Sequence, residues 1–388
     1  MATRSAPAYE SELRALAGRM AAAGASLTVE APGATPIVVG ETPSRTRVVF
    51  HSTAAVTALL RGDHLALAEA YLHREIDVDG ELRDALFVTD HLDLEAPSRW
   101  RRAGIWLRIL LDRRRLNRQS IAYHYDRPPA FFLAWLDASR SYTHGFYASP
   151  DEDLSIAQRR KLQFAIDALA LRPGMDVLDM GCGWGSFLEY AGAQGIRVHG
   201  ITLSREQHTF VTELIRAKHL PCTVERVDFL DYRPTRGFDG AVFMGSLEHM
   251  PDYRYLARFL TRYLHPSARM YADFVTSGEG RLAGAFLRTY IFPGISGYVE
   301  LDRLRAALAA AHFRAQELGD DTQSCAYTVR AWAQAMERAH GSLAAQYGET
   351  AVRAFLLYLW SSYHFLSTRR TQAYHLVAAR GTGLLPTL

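Results

Sequence analysis

The feature that most constrains the fold of this chain is a run of alternating glycines, Gly181, Gly183 and Gly185. The stretch 177–180, which is apolar except for Asp179, precedes the run, and a helical pattern follows it. The pattern therefore predicts a buried strand, a sharp turn and then a helix. Glycine is needed where the backbone must turn sharply and approach a ligand without a Cβ in the way. The alternative is a tight strand–helix connection that binds nothing.

Strand and helix patterns alternate on both sides of this turn, from about Gln158 onward. Such alternation predicts an α/β fold, in which a parallel sheet is covered by helices on both faces. The predicted helices are Gln158–Leu171, Gly185–Gln194, Arg205–Lys218 and Tyr253–Leu264. The predicted strands are Asp176–Asp179, Val198–Thr202, Gly240–Met244 and Arg269–Val275.

Size, charge and cysteine content limit the classes of protein that are compatible with this chain. Its 388 residues suggest a main domain of about 250 residues and a smaller one. The net charge of +3 is too small to argue for nucleic acid, so we expect no nucleic-acid partner. Three widely spaced cysteines argue against a disulfide framework or a metal site, and they fit a reducing cytoplasm.

The hydropathy pattern predicts that any membrane contact is peripheral. No apolar run approaches the roughly 20 residues that a membrane span needs. The first residues also lack the apolar region of a secretory signal. We therefore expect a cytoplasmic protein that contacts the inner membrane surface, and we keep a homodimer as a candidate assembly.

Residues 120–388 form the predicted main domain, and the chain before it divides into two parts. Residues 1–97 mix short strand-like runs with helical patterns, which predicts a small α+β domain without a catalytic cluster. Residues 98–119 combine eight arginines with aliphatic residues and with Trp100 and Trp106. This composition suits a helix at a membrane interface, with arginine at anionic head groups. The alternative is an interdomain helix whose apolar stripe packs on the protein.

Polar side chains follow the second and third predicted strands, at the edge where an open α/β sheet binds ligands. Thr202, Ser204 and Gln207 come after the second strand and can hydrogen-bond a ribose or an amino acid group. Ser204 can also cap the helix that begins at Arg205, and both roles can hold. Asp228 falls where a third strand should end and can accept a hydrogen bond from an adenine amino group. Gly-x-Gly-x-Gly is the glycine spacing of methyltransferases, whose cofactor has no pyrophosphate.

Several longer motifs make the chain resemble a known family. They are AYHYD at 122–126, FFLAWLDASRSYTHGFY, VLDMGCGWGSF, GITLSREQ, GSLEHM, YIFP at 290–293 and FLSTRRTQAYHLVAARG. With these motifs the chain resembles the cyclopropane-fatty-acyl-phospholipid synthases and the related mycolic acid cyclopropane and methyl transferases. The segment RGDHLALAEAYLHREIDVDGEL is similar to that family's N-terminal domain. The resemblance therefore extends from about residue 55 to the C-terminus.

The resemblance implies a class I S-adenosylmethionine-dependent methyltransferase fold, which is Rossmann-like with a mixed seven-stranded sheet, and an acyl-chain tunnel. It implies S-adenosylmethionine (SAM) as the cofactor and an unsaturated lipid acyl chain as the substrate. By position in the family's motifs, the SAM contacts would be Tyr125, Tyr142, Thr143, Asp179, Gly181, Gly183, Thr202 and Gln207. In this family the alkene attacks the sulfonium methyl, and a bicarbonate held in the site then removes a proton as the ring closes.

The positions that hold bicarbonate in the family differ in this chain. Glu248, in GSLEHM, stands where the family's active-site Glu stands. His144 stands where the family has Cys, and Asp273 aligns with the family's His. The family's later Tyr aligns with Cys325, and Tyr327 two residues on is an alternative match. We therefore expect a divergent member with an altered bicarbonate site, whose predicted catalytic residues are Glu248, Asp273, His144 and Tyr327.

The altered site leads to two interpretations of the chemistry. A carboxylate at Asp273 disfavours an anion there, because like charges repel. Either Asp273 or His144 is a built-in base with a pKa tuned by burial, or the proton leaves from another carbon and no ring forms. We hypothesise that bicarbonate is not used, and we favour methyl or methylene branching over cyclopropane formation.

Two other functions stay open at the level of sequence. One is a tailoring methyltransferase of a secondary metabolite, since fold does not determine substrate. The other is a lipid-binding or cofactor-binding protein without activity. A cation on an acyl chain needs a dry pocket with aromatic faces. Tyr290, Phe292 and Tyr298 are candidates for those faces, although aromatic residues at this density are also ordinary core.

Overall fold

The computed structural model describes residues 7–40, 45–86, 127–250, 252–277, 284–292 and 297–380. The basic segment 98–119, the motif 122–126 and Tyr125 lie outside the described residues. The chain forms two compact units. The domain boundaries predicted above, 1–97, 98–119 and 120–388, stay predictions.

The N-terminal unit has a four-stranded sheet with the strand order β2-β1-β3-β4. Its strands are β1 Leu27–Glu30, β2 Ile37–Val39, β3 Arg47–Phe50 and β4 Ile76–Asp79, and its first helices are α1 Glu10–Ala22, α2 Thr53–Leu60, α3 His64–Leu72 and α4 Leu82–Leu86. Segments Gly284–Ile291 and Met336–His364 also belong to this unit. The buried Arg353 joins them to the sheet, because it pairs with Asp77 at 2.9 Å and donates to the Tyr71 carbonyl at 2.7 Å.

The second unit has a seven-stranded sheet with the order β10-β11-β9-β8-β5-β6-β7. Its strands are β5 Asp176–Met180, β6 Arg197–Thr202, β7 Thr223–Arg226, β8 Phe238–Met244, β9 Leu264–Ser277, β10 Phe313–Asp320 and β11 Thr371–Arg380. The helices after α4 are α5 Pro129–Leu133, α6 Leu154–Ala168, α7 Ser186–Gly192, α8 Arg205–Lys218, α9 Tyr253–Tyr263, α10 Leu301–Ala310, α11 Thr322–Arg338, α12 His340–Tyr347 and α13 Glu349–Ser367. Of these, α12 and most of α13 belong to the N-terminal unit, through the segment Met336–His364.

The strand directions place a ligand crevice at β5. Strands β5 to β9 are parallel, whereas β11 is antiparallel to both β9 and β10. The chain moves outward from β5 through β6 to β7 and then returns to β8 on the other side of β5. In open α/β sheets, ligands bind at such a reversal, outside the carboxyl ends of the strands.

Hydrophobic residues are buried on both faces of this sheet. Along β8, Ala241 and Phe243 pack into one core cluster and Val242 and Met244 into the other, because successive side chains of a strand point to opposite faces. Helices α9 and α10 cover the first face, and helices α6 and α7 cover the second. The predicted mixed sheet with helices on both faces is therefore confirmed.

Candidate active site

The turn after β5 shows why three glycines are required. Gly181, Gly183 and Gly185 have φ angles of 90°, 52° and 79°, a region that residues with a Cβ rarely adopt. A Cβ on Gly181 would lie 2.8 Å from the Cβ of Ser246. The backbone N–H of Gly181 donates to the Ile201 carbonyl at 3.0 Å, which joins the turn to β6. The turn thus brings bare backbone to the ends of the neighbouring strands.

A cleft opens beside this turn at the carboxyl ends of β5, β6 and β8. It has about 1050 Å³ of empty space, part of which is open to solvent. Eight residues that were predicted to contact the cofactor line it: Tyr142, Thr143, Asp179, Gly181, Gly183, Thr202, Gln207 and Asp228. Apolar residues complete the wall, among them Ile201, Val227, Phe229, Leu230 and Met244. The cleft therefore offers polar groups on one side and apolar surface on another.

The polar residues after β6 form a small hydrogen-bonded group. The hydroxyl of Thr202 donates to Gln207 Oε1 at 2.7 Å and accepts from the backbone N–H of Ser204 at 3.2 Å. Ser204 is the N-cap of α8, since its Oγ accepts from the backbone N–H of Gln207 at 3.2 Å. Ser204 is not among the residues that line the cleft. The capping role is thus visible, and its predicted cofactor contact stays a prediction.

Two carboxylates line the cleft. Asp179 is the penultimate residue of β5 and is 2% exposed. Burial raises the pKa of Asp179 to about 7, and the nearby Lys161 ammonium opposes that rise. Asp228 lies two residues after β7, and its Oδ1 accepts from the backbone N–H of Leu230 at 2.8 Å. Asp179 thus changes its charge near neutral pH.

Tyr142 anchors the segment that crosses the cleft from α5 to α6. Its ring packs against Phe132, Trp135 and Trp332, with ring centroids 5.6, 5.4 and 5.2 Å away. Phe132 and Trp135 are at most 1% exposed. This aromatic cluster makes a rigid apolar floor under Tyr142 and Thr143.

Glu248 lies on the turn Leu247–His249, between Ser246 and His249, which line the cleft, although Glu248 itself is not among the lining residues. Its Oε1 accepts from the backbone N–H of Val275 at 2.8 Å. Its Oε2 is buried and has no hydrogen-bond partner among the described residues. Burial raises the pKa of Glu248 to about 7. A carboxylate with one occupied and one unused oxygen is suited to accept a proton or a hydrogen bond.

Asp273 is fully buried in β9 behind the cleft wall. Its Oδ1 accepts from the backbone N–H of Gly245 at 2.8 Å. Its Oδ2 lies 3.9 Å from the Lys161 ammonium and accepts from the Tyr271 hydroxyl at 3.5 Å. Both oxygens of Asp273 are therefore engaged by the protein, and Asp273 is not among the residues that line the cleft.

His144 belongs to a buried cluster that the sequence did not reveal. Its Nε2 lies 3.1 Å from Asp321 Oδ2, and the same oxygen lies 2.5 Å from His375 Nδ1. Burial alone would lower the pKa of His144, but its contacts with Asp321 and Cys325 outweigh burial and raise that pKa well above its ordinary value. These contacts thus favour the protonated form of His144. The only hint in the sequence is that His375 falls within the C-terminal family motif.

Tyr327 and the predicted aromatic faces are dispersed. Tyr327 packs against Tyr147, with ring centroids 5.5 Å apart, and it does not line the cleft. Phe292 packs 5.8 Å from the ring of His249, which lines the cleft. Tyr290 instead donates to Glu69 within the N-terminal unit at 3.0 Å, and Tyr298 accepts from Thr371 at 3.4 Å. Of these aromatic residues, Phe292 is the one that packs against the cleft wall.

Comparison with known protein families shows which family this chain belongs to. The family model of mycolic acid cyclopropane synthetase matches residues 112–376, which is more than half of the chain. The chain belongs to this family. Its membership confirms the resemblance that the motifs indicated, and it makes the chain a SAM-dependent methyltransferase.

Curated relatives of this mycolic acid cyclopropane synthetase family member are named for reactions on fatty acids or fatty acyl phospholipids. A probable fatty acid methyltransferase of Pseudomonas putida is 28% identical over 316 residues, which cover 76% of each chain. The cyclopropane-fatty-acyl-phospholipid synthase of Escherichia coli K12 is 30% identical over 262 residues, 66% of this chain and 67% of the relative.

Solved structures confirm the class I methyltransferase fold of this family member. A mycolic acid cyclopropane synthase in complex with S-adenosylhomocysteine (SAH) and CTAB has a TM-score of 0.62 at 24% identity, over 67% of this chain and 97% of the other. A cyclopropane synthase of Mycobacterium tuberculosis has a TM-score of 0.61 at 25% identity, over 68% and 98%.

The cleft of this family member fits SAM. At Gly183 an added Cβ would have no atom within 4 Å, so the bare backbone there leaves room for a ligand. Asp179 offers a carboxylate for a cationic amino acid group or a hydroxyl, and the apolar wall suits a purine face. These individual contacts stay predictions.

The described residues contain neither a candidate membrane-spanning helix nor a candidate metal cluster. No described helix is both long enough and apolar enough to span a membrane. Within the same residues, no group of three or more His, Cys, Asp or Glu side chains is arranged to hold a metal ion.

Proposed function

We propose that this enzyme transfers the methyl group of SAM to a double-bond carbon of an unsaturated fatty acyl chain, linked to phospholipid or to a carrier. The observation that carries the proposal is the unused, buried Oε2 of Glu248 on the turn that forms the cleft wall. The relatives from Pseudomonas putida and Escherichia coli, named for fatty acid methylation and for cyclopropane formation, support an acyl substrate.

The reaction needs positioning, dryness and a proton acceptor. Bound SAM supplies an electrophilic methyl group. One alkene carbon forms the new C–C bond as the S–CH₃ bond breaks, and the positive charge then lies on the other alkene carbon. An isolated alkene is a weak nucleophile, so the protein must hold the reactants in line and exclude water. The product forms when a neighbouring carbon gives up one proton.

Among the candidate bases, we infer that Glu248 accepts this proton. Asp273 has both oxygens engaged, by Gly245 and by Lys161 and Tyr271. The contact with Asp321 favours the protonated form of His144, which has no lone pair to offer. Glu248 has a free oxygen and a pKa of about 7, which lets it be ionised before the reaction and protonated after it.

The same arrangement supports the hypothesis that bicarbonate is not used. Asp273 is a carboxylate where the family has His, and its two oxygens are already engaged by the Gly245 N–H, Lys161 and Tyr271. An additional anion would meet like charge at this place. We therefore assign no step to bicarbonate, and we favour a methyl-branched or methylene-branched product over a cyclopropane. A rise of activity with added bicarbonate would contradict this part of the proposal.

The proposed function can be tested by lipid analysis of a host that expresses the enzyme. The wild type should add one CH₂ unit to unsaturated acyl chains, and the Glu248→Gln variant should lose most of this activity while it still binds SAH. Ozonolysis then separates the products, because a branched alkene is cleaved and a cyclopropane is not. Wild-type protein that leaves every acyl chain unchanged would contradict an acyl substrate and favour a secondary metabolite.

Peripheral contact with a membrane and assembly into a homodimer remain proposals as well. Residues 98–119, which suggested membrane contact, lie outside the described residues. Replacement of Trp100 and Trp106 by Ala should reduce adsorption to anionic vesicles, and unchanged adsorption would remove the membrane proposal. Light scattering would test the dimer.

A further inference from the structure

Lys161 is one of two lysines in the chain, and it is completely buried. It lies on α6, on the face that packs against the sheet. Its ammonium group donates to the hydroxyl of Thr143 and lies 3.9 Å from Asp273 Oδ2. A buried ammonium is costly unless it is paired, so a completely buried lysine at this place requires a reason.

Both residues that Lys161 contacts, Thr143 and Asp273, are connected to the wall of the cofactor cleft. Thr143 lines the cleft, and Gln158, one turn earlier on α6, donates to its backbone carbonyl at 2.6 Å. Gly245 also lines the cleft, and its N–H donates to Asp273 at 2.8 Å. Lys161 thus reaches one wall residue directly and a second one through Asp273.

The two wall residues also touch each other. A Cβ on Gly245 would lie 2.5 Å from Thr143 Cγ2, so the segment that contains Thr143 lies directly against the backbone after β8. This contact closes a ring of Lys161, Thr143, Gly245 and Asp273. A change at any member of the ring therefore moves the others.

We propose that Lys161 is a positioning residue for the cofactor cleft, which fixes Thr143 directly and the Gly245 backbone through Asp273 from behind the wall. The inference rests on the proposed cofactor contacts of Thr143 and Asp179, and it is independent of the acyl substrate. Lys161 touches neither the cofactor cleft nor the reacting atoms itself, because it is not among the lining residues.

Lys161 also affects the ionisation of Asp179. Burial lowers the pKa of Lys161, and Asp273, Asp137, Asp321 and Asp179 oppose that change from four different parts of the chain. In return, the ammonium lowers the pKa of Asp179. Without this positive charge, Asp179 would hold its proton at higher pH.

The test is the binding of S-adenosylhomocysteine (SAH) to purified full-length protein by calorimetry between pH 6 and 9. Lys161→Met keeps the length of the side chain and removes its charge and its donors. We expect about tenfold weaker binding at pH 8, because Thr143 loses its hydrogen bond from Lys161. Separately, we expect the pH midpoint to shift upward by about one unit, because Asp179 loses a nearby positive charge. Lys161→Arg keeps the charge and should restore the midpoint. Lys218→Met replaces the exposed other lysine and should bind as the wild type does.

A second variant separates positioning from stability. Lys161→Met leaves the carboxylate of Asp273 buried without its counter-charge, which destabilises the fold. The double variant Lys161→Met/Asp273→Asn also removes the negative charge of Asp273, so thermal stability should recover. The pH midpoint should return towards the wild-type value, because Asp273 no longer raises the pKa of Asp179. SAH affinity should remain weak, because Thr143 still lacks its donor.

The outcomes distinguish this inference from the proposed function. Wild-type SAH affinity in either Lys161→Met protein, or an unshifted midpoint in the single variant, would overturn the positioning role and leave the proposed function intact. A wild-type protein that does not bind SAH at all would contradict the cofactor cleft itself.

Discussion

At the scale of single residues, the roles of the carboxylates depend on where each one is buried relative to the cleft. Asp179 and Glu248 have similar surroundings in one respect, since burial raises the pKa of each to about 7. Asp179 lines the cleft, whereas Glu248 lies on the turn beside it. The first is therefore a candidate for cofactor binding and the second for proton transfer, although both are carboxylates near the same cleft.

The raised pKa of Asp179 predicts a pH-dependent cofactor affinity. The carboxylate is ionised above its pKa of about 7, and the ionised form is the better acceptor for the amino group or hydroxyls of the cofactor. SAH affinity should therefore be full above pH 8 and fall as the pH drops through 7, by about tenfold per unit below it. Calorimetry across this range is the measurement. In Asp179→Asn the dependence near pH 7 should vanish, and its persistence there would assign it to another group.

At the scale of elements, the turn between β5 and α7 determines the cofactor site. Its backbone has positive φ angles at Gly181, Gly183 and Gly185. Glycine adopts such angles without strain and also lets a ligand approach the backbone, so the same residue type meets both requirements. The helix after the turn begins at Ser186. The flanking strands β6 and β8 then bring their polar ends to the same edge.

This geometry predicts the effect of a single methyl group. Gly181→Ala places a Cβ 2.8 Å from the Cβ of Ser246 at a φ of 90°. The turn must shift, at a strain of about 1–3 kcal/mol, and SAH binding should weaken by about tenfold or more. Gly18→Ala is the matched control, because Gly18 lies inside α1 with no atom within 4 Å of the added Cβ. That control should keep SAH affinity and gain up to about 1 kcal/mol of stability. Equal SAH affinity in both variants would refute the close approach.

At the scale of the whole molecule, the C-terminal third of the second unit returns to complete the site. Strand β11 lies between β9 and β10, and it places His375 opposite Asp273 on β9. Asp321, just before α11, then joins His375 to His144. One buried carboxylate therefore connects three distant parts of the chain.

The central position of Asp321 predicts a large loss of stability when its charge is removed. Asp321→Asn breaks a buried ion pair and should lower the free energy of unfolding by about 3 kcal/mol or more, as measured by urea denaturation. Because the pair raises the folded pKa of His144, its stabilisation is present below the unfolded His pKa of about 6.5 and is lost as the pH rises through the folded value. The difference from the wild type should therefore be larger at pH 6 than at pH 9.

The neighbouring carboxylate is the control for this prediction. Asp320 pairs with Arg369 on the surface, where the two side chains are 36% and 55% exposed. Asp320→Asn should cost less than about 1 kcal/mol, since exposed ion pairs contribute little. A similar loss in both variants would show that the buried cluster has no special role.

Local sequence determined the features that depend on local backbone chemistry. The predicted helix Arg205–Lys218 agrees residue for residue with α8, because Ser204 caps its start. The glycine turn was predicted from spacing alone, and eight of the predicted cofactor residues line the cleft that it borders. The helices and strands after residue 300 were not predicted from periodicity.

Only the tertiary structure decided which polar groups meet behind the cleft. Asp321 is 177 residues from His144 and 54 residues from His375 in the chain. The sequence of α6 has an ordinary amphipathic pattern that does not single out Lys161. Lys161 pairs with Asp273 because α6 packs on β9. Turns and caps are encoded within a few residues, whereas the pairing of buried charges depends on the strand order and on which helix covers which face.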